Sequence, residues 1–306
     1  MPDVDAVQIQ FSAQRLQVLN LSLALIMFGV ALQVTVDDFR QLARQPRPVL
    51  VGMASQFVAL PLLTFLLVIA TRPAPSIGLG MILVASCPGG NISNFMSMNA
   101  NGNVALSVTL TAISTVAATL LTPANLALWG SLYAPAAPIL RTVDVSFWSV
   151  FTTIALILGG PLVLGMSVRH WAADLAQRIS RVMQGLSIVI FAAIVVVALA
   201  NNFAALVAYL PAVLGLVLVH NATALSVGYG LGSAAGLPVR DRRTLAVETG
   251  IQNSGLGLIL IFNFFDGLGG MALVAGWWGI WHIVSGLGLS CLWRYQLLPA
   301  LAARLR

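Results

Sequence analysis

An all-α polytopic membrane protein with nine transmembrane helices, two of them broken, is the architecture this sequence predicts. Three features carry that reading: the apolar composition, the recurrence of uninterrupted apolar runs, and the one-sided distribution of arginine. Hydrophobic residues make up 59% of the 306, charged residues 8%, and mean hydropathy is +0.94, too apolar for a water-soluble globule. The apolar runs are about 20 residues long and continuous, which excludes a transmembrane β-barrel, whose strands alternate apolar and polar over about ten residues. The formal charge of +6 comes entirely from arginine, because the chain has no lysine. Its placement points to membrane topology rather than to a nucleic-acid surface.

The nine spans fall at about 15–36, 48–70, 77–100, 104–131, 146–168, 182–201, 206–234, 244–265 and 270–293. Acids and glutamines precede the first span instead of a basic n-region, so no cleavable signal peptide is expected. The second carries the isolated amide of Gln56, and the third is interrupted by Cys-Pro-Gly-Gly-Asn-Ile-Ser-Asn at 87–94. The fourth brings Ser107 and Thr111. The fifth and sixth flank a basic connection at 169–181, the seventh carries His220, the eighth holds Glu-Thr-Gly-Ile-Gln-Asn-Ser-Gly at 248–255, and the ninth contains His282. With the N-terminus outside, Arg40, Arg44, Arg47, Arg169, Arg178, Arg181, Arg240, Arg242, Arg243, Arg294, Arg304 and Arg306 lie on the cytoplasmic side, and Arg15, Arg72 and Arg141 outside. The longest connections, 37–47, 132–145 and 169–181, are too short to fold alone, so residues 1–306 form a single membrane domain.

Backbone groups freed at the two breaks cannot face lipid and must be buried against protein, water or ions. Each break also creates a half-helix N-terminus that favours an anion, and unwound carbonyls that can hold a cation. Taken singly, either break reads equally as a packing kink. Together they occupy matching places, the third of the first four spans and the fourth of the last five, if the first half lacks one helix. Such pairs mark a transporter built from inverted repeats, here four plus five, with its site at mid-membrane.

Glu248, the single glutamate, sits inside the second break. A carboxylate at membrane depth is costly unless something compensates it, which makes it a functional-site candidate. The aspartates, Asp3, Asp5, Asp37, Asp38, Asp144, Asp174, Asp241 and Asp266, fall at termini, loops or helix ends, where water is expected to solvate them. Ser107 and Thr111 are four apart and share a helix face, so both hydroxyls can point to one spot. Each also has a plainer reading: these hydroxyls can bond back to their own helix, Gln56 can be an interhelical contact, and Asn253 and Ser254 can cap the second half-helix. Cys87 and Cys291 read as packed thiols, His170 as a solvated ring in a basic loop, and His282 and His220 as packed neutral rings, with a direct role as the alternative.

The stretches CPGGNISN at 87–94, NGNVALSVTLTAISTVAATLLTP at 101–123, ETGIQNSG at 248–255 and WHIVSG at 281–286 resemble the bile acid:sodium symporter family, over essentially the whole chain from about Leu16. The resemblance implies a sodium-coupled secondary active symporter that imports an organic anion, bile acid-like or a small carboxylate such as pantoate, by alternating access. It also implies a panel domain, helices about 15–36, 146–168 and 182–201, and a core domain, helices about 48–70, 77–100, 104–131, 206–234, 244–265 and 270–293, in which the two unwound helices cross. Bacterial relatives commonly have ten spans. This chain begins at what would be their second, as nine-span animal members do.

Carried over by position, the family's first sodium site implies Ser93, Asn94, Ser107, Thr111 and Glu248. The second implies Gln56, Glu248, Gln252 and the carbonyls of Thr249 and Ile251. Glu248 is then shared between two sodium ions. The organic anion is expected against the half-helix N-termini, near the N–H groups of Gly89, Gly90 and Asn91 and the side chains of Asn91, Asn253 and Ser254. The setting implied is the lipid bilayer of a bacterial inner membrane, multi-pass, with no nucleic acid and no obligate protein partner. A proton-coupled organic-anion transporter, with Glu248 as proton carrier, is the alternative. An intramembrane enzyme lacks its constellation, since no His-Glu-x-x-His motif and no aspartate inside a span is present.

Overall fold

A computed structural model describes residues 4–6, 13–35, 37, 40, 44–90, 92–142, 147–180, 182, 183, 186, 189 and 203–295. Asn91 and most of the sixth expected span lie outside the described residues. Among the described residues the architecture is helical, with no β-strand. The helices are α1 Ala13–Ala31, α2 Pro46–Thr71, α3 Pro75–Ser86, α4 Ile92–Asn99, α5 Val104–Leu132 and α6 Ala137–Thr142. They continue with α7 Trp148–Trp171, α8 Phe203–Ala234, α9 Val239–Gly250, α10 Ser254–Phe264 and α11 Gly269–Arg294.

Five described helices are long and apolar enough to cross a membrane: α2, α5, α7, α11 and the stretch Val213–Ala234 of α8. The 26 residues of α2 rise roughly 39 Å, beyond the ~30 Å hydrocarbon core. Two pairs of shorter helices flank the expected breaks. α3 and α9 each have 12 residues, a rise of about 18 Å that covers little more than half the hydrocarbon depth.

Proline shapes α2 in a way that bears on the site. Pro61 has no N–H to give to Phe57, and just before it the helix widens into a π-turn over Ser55–Ala59. The freed Phe57 carbonyl accepts from Asn125 Nδ2 of α5 at 3.1 Å. The widened turn carries Gln56, which is fully buried. The same arrangement recurs in α7, where a π-turn over Ala155–Gly159 precedes Pro161.

Inside a bilayer the helices gain little from hiding apolar surface and associate through close packing and polar contacts. α3 is buried at every residue from Ser76 to Ser86, the behaviour of a helix that is apolar all round. Helices α8 and α9 lie so close that a Cβ on Gly228 would stand 2.7 Å from the Ala246 Cα. Thr64 of α2 and His220 of α8 share a hydrogen bond at 2.7 Å, and the His220 ring centroid lies 4.6 Å from that of Trp278. His282 is buried as well. Asn20 of α1 and Asn263 of α10 exchange amide hydrogen bonds at 3.0 and 3.4 Å.

Three sequence expectations need correction. Asp241 is buried in the first turn of α9, where its carboxylate accepts from Asn103 Nδ2 at 2.8 Å. Asp5 is partly buried and accepts from the Ser76 N–H at 2.8 Å, a capping role at the start of α3. Neither acid is simply solvated. Both cysteines are free, but only Cys87 is packed; Cys291 is exposed.

Candidate functional site

The two breaks cross and complete each other. The Gly90 N–H donates to the Ile251 carbonyl at 2.6 Å, and the Asn253 N–H donates to the Pro88 carbonyl at 2.8 Å. Between these bonds Gly89 faces Gln252 as an isolated antiparallel bridge. Groups that proline and glycine freed from one helix are thus satisfied by the other break, without exposure to lipid. The approach is tight at Gly89. A Cβ there would lie 3.1 Å from Glu248 Oε2 and 3.2 Å from the Glu248 carbonyl oxygen.

Glu248 is fully buried near the C-terminal end of α9, and no basic side chain among the described residues comes within ion-pair distance of it. Hydroxyls surround its carboxylate. Ser93 Oγ of α4 donates to Oε1 at 2.5 Å, Ser107 Oγ of α5 donates to the same oxygen, and Thr111 Oγ1 stands 3.3 and 3.2 Å from Oε1 and Oε2. Thr111 also reaches Asn94 Oδ1 at 3.4 Å. Ser93, Asn94, Ser107, Thr111 and Glu248 therefore form one cluster, drawn from α4, α5 and α9. A hydroxyl that gives its proton to a carboxylate keeps its lone pairs free, so this shell can accept a hard cation without exchanging a hydrogen bond. The Ser97 hydroxyl, 3.1 Å from Ser107 Oγ, joins the cluster unforeseen; a lone serine in CPGGNISNFMS carries no signal that separates it from a packing residue.

A second group of polar atoms lies beside Gly89. Gln56 Nε2 would be 3.5 Å from a Cβ on Gly89, close to where Glu248 Oε2 falls. Both amide atoms of Gln56, and Oε1 of Gln252, are buried with no hydrogen-bond partner. Such orphans are costly in apolar surroundings, and a bound cation would supply the partner that the two oxygens, Gln56 Oε1 and Gln252 Oε1, lack. Gln252 Nε2 donates to the Thr249 carbonyl at 2.8 Å, the Thr249 and Ser55 hydroxyls lie 2.6 Å apart, and the Ile251 carbonyl already accepts from Gly90. No three of His, Cys, Asp and Glu come together among the described residues. One carboxylate among neutral oxygens is a donor set for a hard cation of low charge.

The expected anion groups divide. Gly90 does not offer a free N–H, since Ile251 holds it. Asn253 caps α10, its Oδ1 accepting from the Leu256 N–H at 3.1 Å, while its Nδ2 faces Met27 Sδ of α1 at 3.9 Å. The Ser254 hydroxyl is buried without a partner. Asn91 lies outside the described residues.

Comparison with known proteins gives a consistent result. Residues 20–209 match the sequence profile described as the Sodium Bile acid symporter family. An uncharacterized sodium-dependent transporter, YocS, of Bacillus subtilis is 30% identical over 275 residues, 90% of this chain and 82% of the relative. A probable sodium/metabolite cotransporter, BASS1, of the Arabidopsis thaliana chloroplast is 31% identical across 89% of this chain and 65% of its own length. Human sodium/bile acid cotransporter 4 is 31% identical across 76% of this chain and 52% of its own length.

Proposed function

We propose, because this chain belongs to the sodium bile acid symporter family, that it is a sodium-coupled symporter importing an organic anion by alternating access. The observation that carries the proposal is Glu248, a fully buried carboxylate with no basic partner among the described residues. It stands between a shell of hydroxyls and a pair of partly orphaned glutamine amides. Two sodium ions sharing Glu248 would compensate its charge: one against Ser93, Asn94, Ser107 and Thr111, the other against Gln56, Gln252 and the carbonyls of Thr249 and Ile251. Coupling follows from that sharing. Sodium completes the crossing of the two broken helices, and the anion binds beside it at the half-helix N-termini.

The same reading takes the fold to be nine spans in a four-plus-five inverted repeat. α1, α7 and the span at 182–201 make a panel that rocks against a core of the remaining helices. The N-terminus lies outside and the C-terminus in the cytoplasm of a bacterial inner membrane. The anion is bile acid-like or a small carboxylate such as pantoate.

Uptake into proteoliposomes tests this. A panel of radiolabelled organic anions, taurocholate and pantoate included, should enter only under an inward sodium gradient, and Glu248→Ala should abolish the sodium dependence. Uptake unchanged with potassium replacing sodium overturns the proposal, and uptake that follows a pH gradient without sodium replaces it with proton coupling.

A further inference from the structure

Three carbonyls at the second break have a holder, and one of those holders is a side chain outside both cation sites. At the end of α9 the Thr249 carbonyl accepts from Gln252 Nε2 and the Ile251 carbonyl from the Gly90 N–H. The Gly250 carbonyl between them accepts from Asn221 Nδ2 of α8 at 2.7 Å. Asn221 is fully buried, and its own Oδ1 accepts from Ser285 Oγ of α11 at 2.5 Å. The Gly250 carbonyl can only accept, so it sets which way the amide faces; Ser285 Oγ, which also reaches the His282 carbonyl at 3.2 Å, then holds the amide there through Oδ1. Gly250 admits the approach. A Cβ there would meet the Leu225 Cγ at 2.6 Å, so a larger residue would need the Leu225 side chain to shift.

We infer that Asn221, held by Ser285, is a positioning residue for cation binding: by pinning the Gly250 carbonyl toward α8 it aims the Ile251 carbonyl, and with it the Thr249–Gln252 turn, at the crossing. Ile251 is extended, with φ −109° and ψ 91°, and along extended backbone successive carbonyls point to opposite sides. Fixing Gly250 toward α8 therefore sends the next carbonyl away from α8, where Gly90 meets it. Neither Asn221 nor Ser285 touches the ion. They act as the outer partners of metal ligands do elsewhere, where their loss costs about 10- to 100-fold in affinity. The inference rests on the sodium reading of the site and adds to it the residues that orient its backbone ligands.

Sodium itself is the probe. Purified protein in detergent is titrated with sodium chloride, choline chloride holding ionic strength constant, and the midpoint of the sodium-induced rise in melting temperature is read. A merely structural residue lowers the melting temperature at every sodium concentration and leaves the midpoint in place. Asn221→Ala should move the midpoint upward about 10- to 100-fold. Ser285→Ala, which keeps the Asn221 donor and loosens only its orientation, should move it less in the same direction, and Ser285→Thr should restore it. The serine pair decides the matter if Asn221→Ala does not fold. Midpoints equal to the parent's in these variants overturn the inference while leaving the sodium reading intact. A parent protein with no sodium midpoint overturns both.

Discussion

Replacing Glu248 by glutamine should reverse the order of stability between parent and variant as sodium is added. The exchange keeps shape. Oε1 can still accept from Ser93 and Ser107, and the amide nitrogen, placed where Oε2 was, faces a Thr111 hydroxyl at 3.2 Å that can turn to accept. What disappears is a buried negative charge with no basic partner among the described residues. In sodium-free buffer the variant should therefore be at least as stable as the parent. In sodium the parent gains binding energy that the variant lacks. A single site at a hundred times its dissociation constant contributes about 2.7 kcal/mol, and two sites that share the carboxylate contribute about 5.4. For a chain of this length that corresponds to a shift of roughly 10 °C. Thermal unfolding in detergent, with choline replacing sodium at constant ionic strength, reads both halves of the prediction. Parallel sodium titrations of parent and variant would refute the assignment of Glu248 as the shared ligand.

Three further outcomes follow from other parts of the structure. Gly89→Ala would place a methyl carbon 3.1 Å from Glu248 Oε2; the overpacking should cost about 1–3 kcal/mol in thermal unfolding and weaken sodium binding as well. Thr64→Val leaves His220 Nε2 without the partner it has at 2.7 Å; unfolding should show a loss of about 1–3 kcal/mol, with the sodium midpoint unmoved. With both native cysteines replaced, Asp174→Cys, exposed in the helical stretch at 173–180 that follows α7, should react with a membrane-impermeant maleimide only in inside-out vesicles.

Both breaks were legible because proline and clustered glycine in an apolar run have few other meanings, and the hydroxyl pair was legible because its spacing of four matches a helix face. Their crossing was not. Nothing local in CPGGNISN says that the Gly90 N–H will be spent on Ile251 rather than left for an anion, since that depends on a segment of the other half of the chain. Gln56 stood out as a lone amide, yet the π-turn that carries it follows from Pro61 and from Asn125 of a different helix. Asn221 gave no signal at all, and Ser285 none beyond its place in WHIVSG. A single asparagine or serine in a membrane helix is ordinary, and only the geometry of α8 against α9 gives these two a target. Asp241 misled for the opposite reason: its place at a helix start suggested solvent, whereas the turn before α5 supplies Asn103 as its donor.

The crossing also sets a schedule for biosynthesis. Ser93 and Glu248 are 155 positions apart, and at about 5–20 residues per second the ribosome needs roughly 8–30 s to supply the second after the first. During that interval the hydroxyls of Ser93, Ser107 and Thr111 can bond only back to their own helices, and the backbone groups of the first break have emerged from the ribosome without their partners. Bilayer lipid cannot satisfy them. The first half must therefore wait in a hydrated or sheltered setting at the insertion machinery, and a chain truncated before Ile251 should be recognised as incomplete rather than released into the membrane.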